Sequence, residues 1–375
     1  MNVLTRPASH LRPDIQALRA IAVLAVVAYH IWPTRLTGGF MGVDVFFVIS
    51  GYLMTLTIWK GVTRANAAAM HRIRNSIGFL FGFYARRIKR LAPAATVCLL
   101  AVLTTTLLVG TFSLQAATAP QTLASAVFMQ NWFLAQQAVD YLGADAGATA
   151  VQHFWSLSIE EQFYMVWPLL LLSVGLIVFA KSMSRDGRIQ DKEGQTEDGK
   201  GRIAVLVVIL VFTASSFLYG FVLTYSNPAA AYFVTPARIW ELSLGGVMVF
   251  LPTFRHRNSR LFLPWLGIAL IAYSLIIGNG EAFPGWHALI PTFGTMLVIH
   301  GGASNPHAKD KSNPLISFAN VSRLRPMQFF GDISYSLYLY HWPLVILVPF
   351  ILQTDFNHSG RYLKIAVFVA SVMLA

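Results

Sequence analysis

Ten apolar stretches separated by polar loops run along this chain, and they limit its fold more than any other feature does. A helix satisfies its own backbone hydrogen bonds in lipid and crosses the hydrocarbon core with about 20 apolar residues. We therefore predict an all-α integral membrane protein, a bundle of about ten transmembrane helices. The predicted spans cover residues 15–33, 42–59, 92–110, 156–180, 203–225, 236–252, 261–279, 287–302, 329–352 and 361–375.

The distribution of cations predicts the orientation of these spans. Lysine and arginine accumulate on the cytoplasmic side of membrane proteins. All but four of the 28 such residues here lie near the N-terminus or in alternate loops, which predicts that both termini are cytoplasmic. The four exceptions are Arg35, Arg238, Arg361 and Lys364.

The composition supports a membrane protein and excludes several other classes. Hydrophobic residues make up 55% of the chain and charged residues 12%, whereas soluble domains carry about 25% charged residues. The net charge of +12 follows the loops of the predicted topology, so no nucleic-acid partner is predicted. A single cysteine, Cys98, rules out an intramolecular disulfide and a multi-cysteine metal cluster, and no metal is predicted.

Arg19 and His30 are the most informative polar pair, and both lie in the first span. At about 100° per residue, their two side chains fall within roughly 20° of each other on one helix face. They stand roughly 16 Å apart along the helix axis, about half of a bilayer core. Both are costly to bury in lipid, so a functional role is the default hypothesis. The structural alternative is a snorkelling arginine and a packed histidine.

Three carboxylates within the spans are candidate partners for such groups. Asp44 enters the second span from the predicted external side, where it either holds the His30 imidazole in one tautomer or caps the helix N-terminus. Glu160 and Glu161 are adjacent in the fourth span and point about 100° apart, so at most one of them should face a given cavity wall. Since a carboxylate facing lipid is costly, a cavity or a buried pair is predicted.

A run of cations precedes the third span on the predicted cytoplasmic side. It consists of Arg86, Arg87, Lys89 and Arg90. One interpretation is that the run only determines topology. The other is that it also binds a polyanion, because guanidinium groups bind phosphate in a bidentate fork.

Two further polar sets lie in later spans. Arg238 and Glu241 are spaced i,i+3, and we predict that they satisfy each other. Ser334, Tyr338 and His341 recur at i, i+4 and i+7, which predicts a polar stripe facing the interior of the bundle. His341 then either orients another group or makes a purely structural contact.

Two loops also carry predictions. In the external stretch, residues 120–135 are predicted to form a short amphipathic or re-entrant helix, and Trp132, Asp140 and Tyr141 there suit stacking on a carbohydrate. The polar, glycine-rich stretch 184–201 is predicted to be a mobile cytoplasmic loop.

Six sequence blocks, taken in order along nearly the whole chain, resemble the membrane-bound acyltransferase-3 family, which modifies bacterial surface polysaccharides and related acceptors. The blocks are Arg19-x10-His30, the run 39–51 that contains Asp44, Arg87-x-x-Arg90, the run 153–164 from His153 to Tyr164, Arg238-x-Trp-Glu241, and the run 334–343 that contains His341.

The resemblance implies acyl transfer, commonly of acetyl, from a cytoplasmic acyl-coenzyme A to an acceptor outside the membrane. Arg86, Arg87 and Arg90 would bind the phosphates of the donor, acetyl-CoA or a related acyl-CoA. Its pantetheine arm would extend past Arg19.

The resemblance also implies a catalytic centre around His30, which would act as the general base on the acceptor hydroxyl. Asp44, Glu160 or Glu161 would set the orientation of its ring. Substrate-binding or orienting roles are expected for His153, Trp155, Tyr164, Arg238, Glu241, Tyr338 and His341.

For the whole molecule, the resemblance implies one acyltransferase-type transmembrane domain, residues 1–375, in the inner membrane of a bacterium. The expected partners are membrane lipids and a carbohydrate or lipid-linked glycan acceptor. Larger family members append an external SGNH-type domain, and one could follow Ala375, where the chain stops inside an apolar run. The alternative function is a transporter or flippase of an envelope precursor, in which the intramembrane His, Asp and Glu residues form a proton relay.

Overall fold

The structure, a computed structural model, is mainly helical in the residues it describes, and these contain no strand. Most helices are long and apolar, as expected for segments that satisfy their backbone groups internally in lipid. The described residues are 12–66, 72–139, 148–185, 194–252, 256–278, 280, 282–302, 317–356 and 360–375.

The helices overlap every one of the ten predicted spans. In chain order they are α1 (Pro13–Ile31), α2 (Gly42–Asn66), α3 (Arg72–Val109), α4 (Phe112–Ala126), α5 (Gln130–Val139), α6 (Phe154–Arg185), α7 (Gly194–Ser226), α8 (Pro228–Phe233), α9 (Thr235–Val247), α10 (Arg257–Ile277), α11 (Leu289–Gly301), α12 (Phe318–Val321), α13 (Arg325–Ile351) and α14 (Arg361–Leu374).

Six helical segments among the described residues are long and apolar enough to cross a membrane, and they belong to α1, α2, α3, α7, α10 and α13. The other four predicted spans fall on α6, α9, α11 and α14. Of these, α9 and α11 have 13 residues each, so each is about 20 Å long and shorter than a hydrocarbon core of about 30 Å. The multi-pass character predicted from the sequence is therefore confirmed.

Two predicted loops differ from the structure. Helices α4 and α5 replace the single helix predicted at 120–135, and Phe128, with a φ of 55°, lies at the turn between them. Helix α7 begins at Gly194, so the predicted loop 184–201 is partly helical, while residues 186–193 lie outside the described residues. Glycine and polar residues weaken a helix, but they do not stop one that continues into an apolar span.

The relative directions of neighbouring helices follow from their contacts. Gln16 of α1 donates to Asp332 of α13, and His30 further along α1 bonds His341 further along α13, so these two helices run parallel. Tyr84 donates to the carbonyl of Met165. Because Arg87 lies later in α3 than Tyr84, and its partner Glu161 lies earlier in α6 than Met165, α3 and α6 run antiparallel.

Helices α2 and α9 also run parallel, because Asp44 pairs with Arg238 near the start of both helices and Thr55 lies against Gly246 further along both. Where they cross, they pack backbone against backbone. A Cβ atom on Gly51 would overlap the carbonyl oxygen of Leu242, and one on Gly245 would overlap the carbonyl oxygen of Val48. Small residues let helices approach closely in a membrane, where burial of apolar surface does not drive them together. This close pair fixes the position of the N-terminal turn of α2 beside the site described next.

Candidate active site

A basic cavity of about 330 Å³ opens between α1, α2, α3, α6 and α13. Its polar wall is cationic because three arginines of α3 line it, and they lie one or two helical turns before Pro93. The structure thus brings together the four arginines predicted to bind the donor, from two helices far apart in the sequence. The charged and phenolic residues that line the cavity are Arg19, Arg86, Arg87, Arg90, Glu160, Tyr164, Tyr335 and Tyr338.

The arginines of the basic cavity differ in their partners. Arg87 donates from Nε and Nη2 to Glu161, with 2.8 Å between Nη2 and Oε1, and its Cζ lies 3.2 Å from the ring centre of Tyr164. Arg19 donates to Gln16 over 2.8 Å. Within the described residues, neither Arg86 nor Arg90 forms an ion pair with a carboxylate. The cavity therefore holds cationic groups that are not neutralised by neighbouring carboxylates.

A second cavity, of about 270 Å³, lies beyond the first, and we call it the histidine cavity. It is lined by His30 and His153 together with the aromatic rings of Trp155, Tyr232 and Trp342. The rings of Trp155 and Tyr232 have their centres 4.8 Å apart. Aromatic faces with a few polar groups among them are typical of carbohydrate and other small-molecule sites.

The basic and histidine cavities share two lining residues, Val43 and Tyr338. The Tyr338 hydroxyl lies 2.6 Å from Ser156 Oγ and donates to the backbone carbonyl of His153 over 3.0 Å. Tyr338 is only 6% exposed. The hydrogen-bonded ring of Tyr338 and the side chain of Val43 therefore separate the basic cavity from the histidine cavity.

His30 is oriented by His341, and the hydrogen-bond chain fixes which ring nitrogen is basic. His341 Nδ1 lies 2.8 Å from the carbonyl oxygen of Tyr338, and since a carbonyl only accepts, Nδ1 carries the proton. In the neutral ring His341 Nε2 then accepts, and it lies 2.8 Å from His30 Nδ1. His30 Nδ1 therefore donates, and the lone pair of neutral His30 is on Nε2.

A backbone carbonyl also determines the tautomer of His153, but here its partner is Nε2 rather than Nδ1. Its Nε2 lies 3.1 Å from the carbonyl oxygen of Leu339 and therefore donates, while Nδ1 has no hydrogen-bond partner among the described residues. Its ring centre is 5.9 Å from that of His341. In the described part of the chain no group of three or more His, Cys, Asp or Glu residues has the arrangement of a metal site.

Asp44 does not contact His30, so the sequence-based expectation that it holds the imidazole is wrong in geometric terms. Its carboxylate instead accepts from Arg238 Nη2 over 2.8 Å, and both side chains are at most 1% exposed. Arg238 Nη1 lies 3.4 Å from Glu241, which is the i,i+3 contact expected from the sequence. A buried guanidinium between two helices satisfies a buried carboxylate better than a distant imidazole does, and this contact was not visible in local spacing.

The two adjacent glutamates are separated as their helical spacing predicts. Glu160 lines the basic cavity and accepts from the Tyr164 hydroxyl over 3.2 Å, whereas Glu161 is paired with Arg87. Neither glutamate contacts His30, whose Nδ1 is hydrogen-bonded to His341. Glu160 therefore belongs to the basic cavity itself, and Glu161 holds Arg87, which lines it.

Some site residues were not expected from the sequence. Trp342 packs on His30 with 4.4 Å between ring centres, and Tyr232 comes from the short helix α8, which no periodic pattern marks.

Trp132 donates to Gln162 over 3.1 Å and is 38% exposed. Asp140 and Tyr141, expected beside Trp132, lie outside the described residues.

Comparison with known proteins places this geometry in a family. Residues 12–375 match the family model described as an acyltransferase domain. The O-acetyltransferase OatA of Staphylococcus aureus (strain NCTC 8325 / PS 47) is 30% identical over 348 residues, which are 90% of this chain and 51% of that protein. The peptidoglycan O-acetyltransferase OatA of Listeria monocytogenes is 27% identical over 368 residues, or 94% of this chain and 52% of that protein.

The chain spans about half the length of the curated relatives it matches. No solved structure gives a significant match. The family match covers both cavities, including all four arginines and the cluster of His30, His153 and His341. The chain therefore belongs to the acyltransferase-3 family.

Proposed function

We propose that this protein is an integral-membrane O-acetyltransferase that moves an acetyl group from cytoplasmic acetyl-CoA to a hydroxyl of a cell-envelope carbohydrate. The observation that carries the proposal is the pair of cavities that meet at Tyr338 and Val43, one cationic and one containing a basic imidazole. A donor with phosphates fits the first, and an acceptor with a sugar hydroxyl fits the second. The relatives named O-acetyltransferases support the same chemistry.

The proposal includes a topology of ten spans with both termini cytoplasmic, in the inner membrane of a bacterium. Helices α1 and α13 are the first and ninth spans in this scheme and α2 and α9 are the second and sixth. Parallel packing of both pairs is what that numbering requires, and antiparallel packing of α3 against α6, the third and fourth spans, agrees with it. The basic cavity then opens toward the cytoplasm.

In this scheme the arginines bind the donor. Arg86 and Arg90 are without carboxylate partners among the described residues, and guanidinium groups bind phosphate oxygens through paired N–H donors. Arg19 lies deeper on α1, beside the path that a pantetheine arm would take toward Val43 and Tyr338. The separation of Arg19 and His30, roughly 16 Å along the helix, suits an extended arm of that kind.

His30 acts as the general base in this scheme. Its unprotonated Nε2 would accept the proton of the acceptor hydroxyl as the hydroxyl oxygen forms a bond to the thioester carbonyl carbon. The carbon–sulfur bond then breaks, and the departing thiolate takes the proton from His30. Ester and free thiol are the products, so His30 returns to its starting state without a net gain or loss of protons.

The acceptor half of the proposal rests on the histidine cavity. Trp155, Tyr232 and Trp342 offer ring faces, and His153 Nδ1 is an acceptor without a partner in the described residues. Sugars present both C–H faces and hydroxyl donors. The glycan would reach this cavity free or lipid-linked, or an appended SGNH-type domain would pass the acetyl group on.

The test is replacement of His30 by alanine in cells whose own copy of the gene is deleted. We expect loss of the ester-linked acetate that mild base releases from the envelope, at unchanged amounts of protein in the membrane. His256→Ala is the matched control, since His256 is exposed and lies outside both cavities. Normal acetate with His30→Ala would refute the base role. Movement of a glycan precursor across sealed vesicles without acetyl-CoA would instead favour a transporter.

A further inference from the structure

A third cavity, distinct from the two already described, is lined by cations that lie outside the predicted cytoplasmic segments. Four of the 28 lysines and arginines lie outside the N-terminal segment and the alternate basic loops. One of them, Arg238, is buried in the ion pairs with Asp44 and Glu241. The other three, Arg35, Arg361 and Lys364, line a single cavity of about 600 Å³, which we call the lateral cavity.

The lateral cavity lies between the end of α1 and the start of α14, and its walls are of two kinds. The cationic wall is exposed at Arg35 and Arg361, and neither guanidinium forms an ion pair among the described residues. No acidic residue is among the described residues that line the cavity. The remaining lining residues are mostly apolar: Ala28, Trp32, Thr34, Leu36 and Ile365.

This cavity is on the opposite face of α1 from the catalytic candidate. Ala28 is two residues before His30 in α1, so its side chain points about 200° away from the imidazole around the helix. Trp32 follows the end of this helix. The lateral cavity shares no lining residue with either the basic or the histidine cavity. Whatever binds there does so without occupying the donor or acceptor compartments.

We propose that the lateral cavity binds the headgroup of one anionic glycerophospholipid, with its phosphate held by Arg35, Arg361 and Lys364. Arg35 follows the end of α1, and Arg361 and Lys364 lie in the first turn of α14, the tenth span of the proposed topology. Helix ends are at the depth of lipid phosphates. Guanidinium groups bind phosphate through paired N–H donors. A volume of about 600 Å³ lies within the range of pockets that enclose a small ligand.

The apolar walls identify the ligand as a lipid rather than a free anion. Trp32 suits the interface between headgroups and acyl chains, where tryptophan is enriched in membrane proteins. Ile365 and Leu36 offer surface on which the first methylenes of an acyl chain can rest. A soluble phosphate would leave these apolar residues uncovered and would bind through charge alone.

The test counts lipids retained by the purified full-length protein. Protein is reconstituted with equal amounts of phosphatidylglycerol and phosphatidylcholine, returned to a mild non-ionic detergent, and analysed by native mass spectrometry. We expect one phosphatidylglycerol to remain bound, and about a tenfold lower retention in Arg35→Gln/Arg361→Gln, since each cation near a membrane surface attracts an anionic lipid appreciably. Arg323→Gln/Arg325→Gln, which removes two exposed arginines beside the start of α13, is the matched control and should retain the lipid.

Two results would overturn the proposal. One is equal retention of both lipids by the unmodified protein, a comparison that does not depend on any variant folding. The other is loss of the bound phosphatidylglycerol on addition of millimolar inorganic phosphate, which would make this a site for soluble anions. No acetyl donor enters the assay, so its outcome is independent of the proposed transferase activity.

Discussion

At the scale of single residues, the decisive arrangement is a chain of hydrogen bonds that starts at a helix backbone. The carbonyls of Leu337 and Tyr338 receive the Nδ1 proton of His341, and His341 Nε2 receives the proton of His30 Nδ1. This last hydrogen bond uses His30 Nδ1 as the donor, so His30 Nε2 is the basic nitrogen. A backbone carbonyl cannot become a donor, so the direction of the chain is set by the fold rather than by neighbouring charges.

This direction predicts the behaviour of variants at His341. His341→Leu should lower kcat for acetyl transfer by about 10²–10⁴-fold, because His30 loses the acceptor that selects its tautomer. The KM for acetyl-CoA should change little, since His341 does not line the basic cavity. Steady-state kinetics in proteoliposomes measure both quantities.

A conservative variant separates positioning from packing. Glutamine carries an acceptor oxygen near the place of His341 Nε2, so His341→Gln should recover part of the lost kcat. Equal activity of the leucine and glutamine variants would show that His341 only fills space. A rise in KM without a fall in kcat would assign it to substrate binding.

At the scale of elements, α2 and α9 form the pair on which the site depends. The Asp44–Arg238 ion pair joins them near their N-termini, and the glycine contacts join them one and two turns further on. Arg238 also lies 5.0 Å from the ring centre of Phe283 and 5.8 Å from that of Tyr232. Tyr232 lines the histidine cavity, so the ion pair and the acceptor compartment are packed as one unit.

The close helix contact predicts an unequal response to two glycine substitutions. Gly51→Ala should lower the thermal unfolding midpoint in detergent by several degrees, because its methyl group would overlap the Leu242 carbonyl and force α2 and α9 apart. Gly78→Ala in α3 is the matched control, since a Cβ there meets nothing within 4 Å. It should be neutral or slightly stabilising, as expected for removal of a helical glycine.

The same measurement can contradict the packing argument. Equal midpoints for the two variants would mean that α2 and α9 are not in backbone contact in the membrane. A loss confined to Gly78→Ala would be harder still to reconcile with the structure.

At the scale of the whole molecule, the sequence allowed a prediction of which segments are helical but not of which side chains meet. Each predicted span overlaps a helix because apolar length is a local property. The pairing of Asp44 with Arg238 joins residues 194 positions apart, and that of His30 with His341 joins residues 311 apart. Such contacts depend on the arrangement of helices around one another, which hydropathy and spacing do not specify.

Charge asymmetry gives the topology prediction its sharpest test. In a Cys98→Ala background, Thr354→Cys, in the loop between α13 and α14, should react with a membrane-impermeant thiol reagent in intact cells. Arg323→Cys, before α13, should react only after permeabilisation. Both positions are exposed, so accessibility within the protein does not favour either. The reverse pattern of labelling would invert the proposed orientation and place the basic cavity outside.

The shared wall of Val43 and Tyr338 has a consequence for the cell's energy supply. In the proposed topology the two compartments open to opposite sides of the membrane, and they would become a leak for protons and ions if the wall between them failed. Tyr338 is held by Ser156 and by the backbone of His153, so the ring that borders both compartments is fixed at two points. In the proposed topology, we expect a small residue at position 338 to open a path between the two compartments and so to lower the membrane potential of a cell that carries the variant.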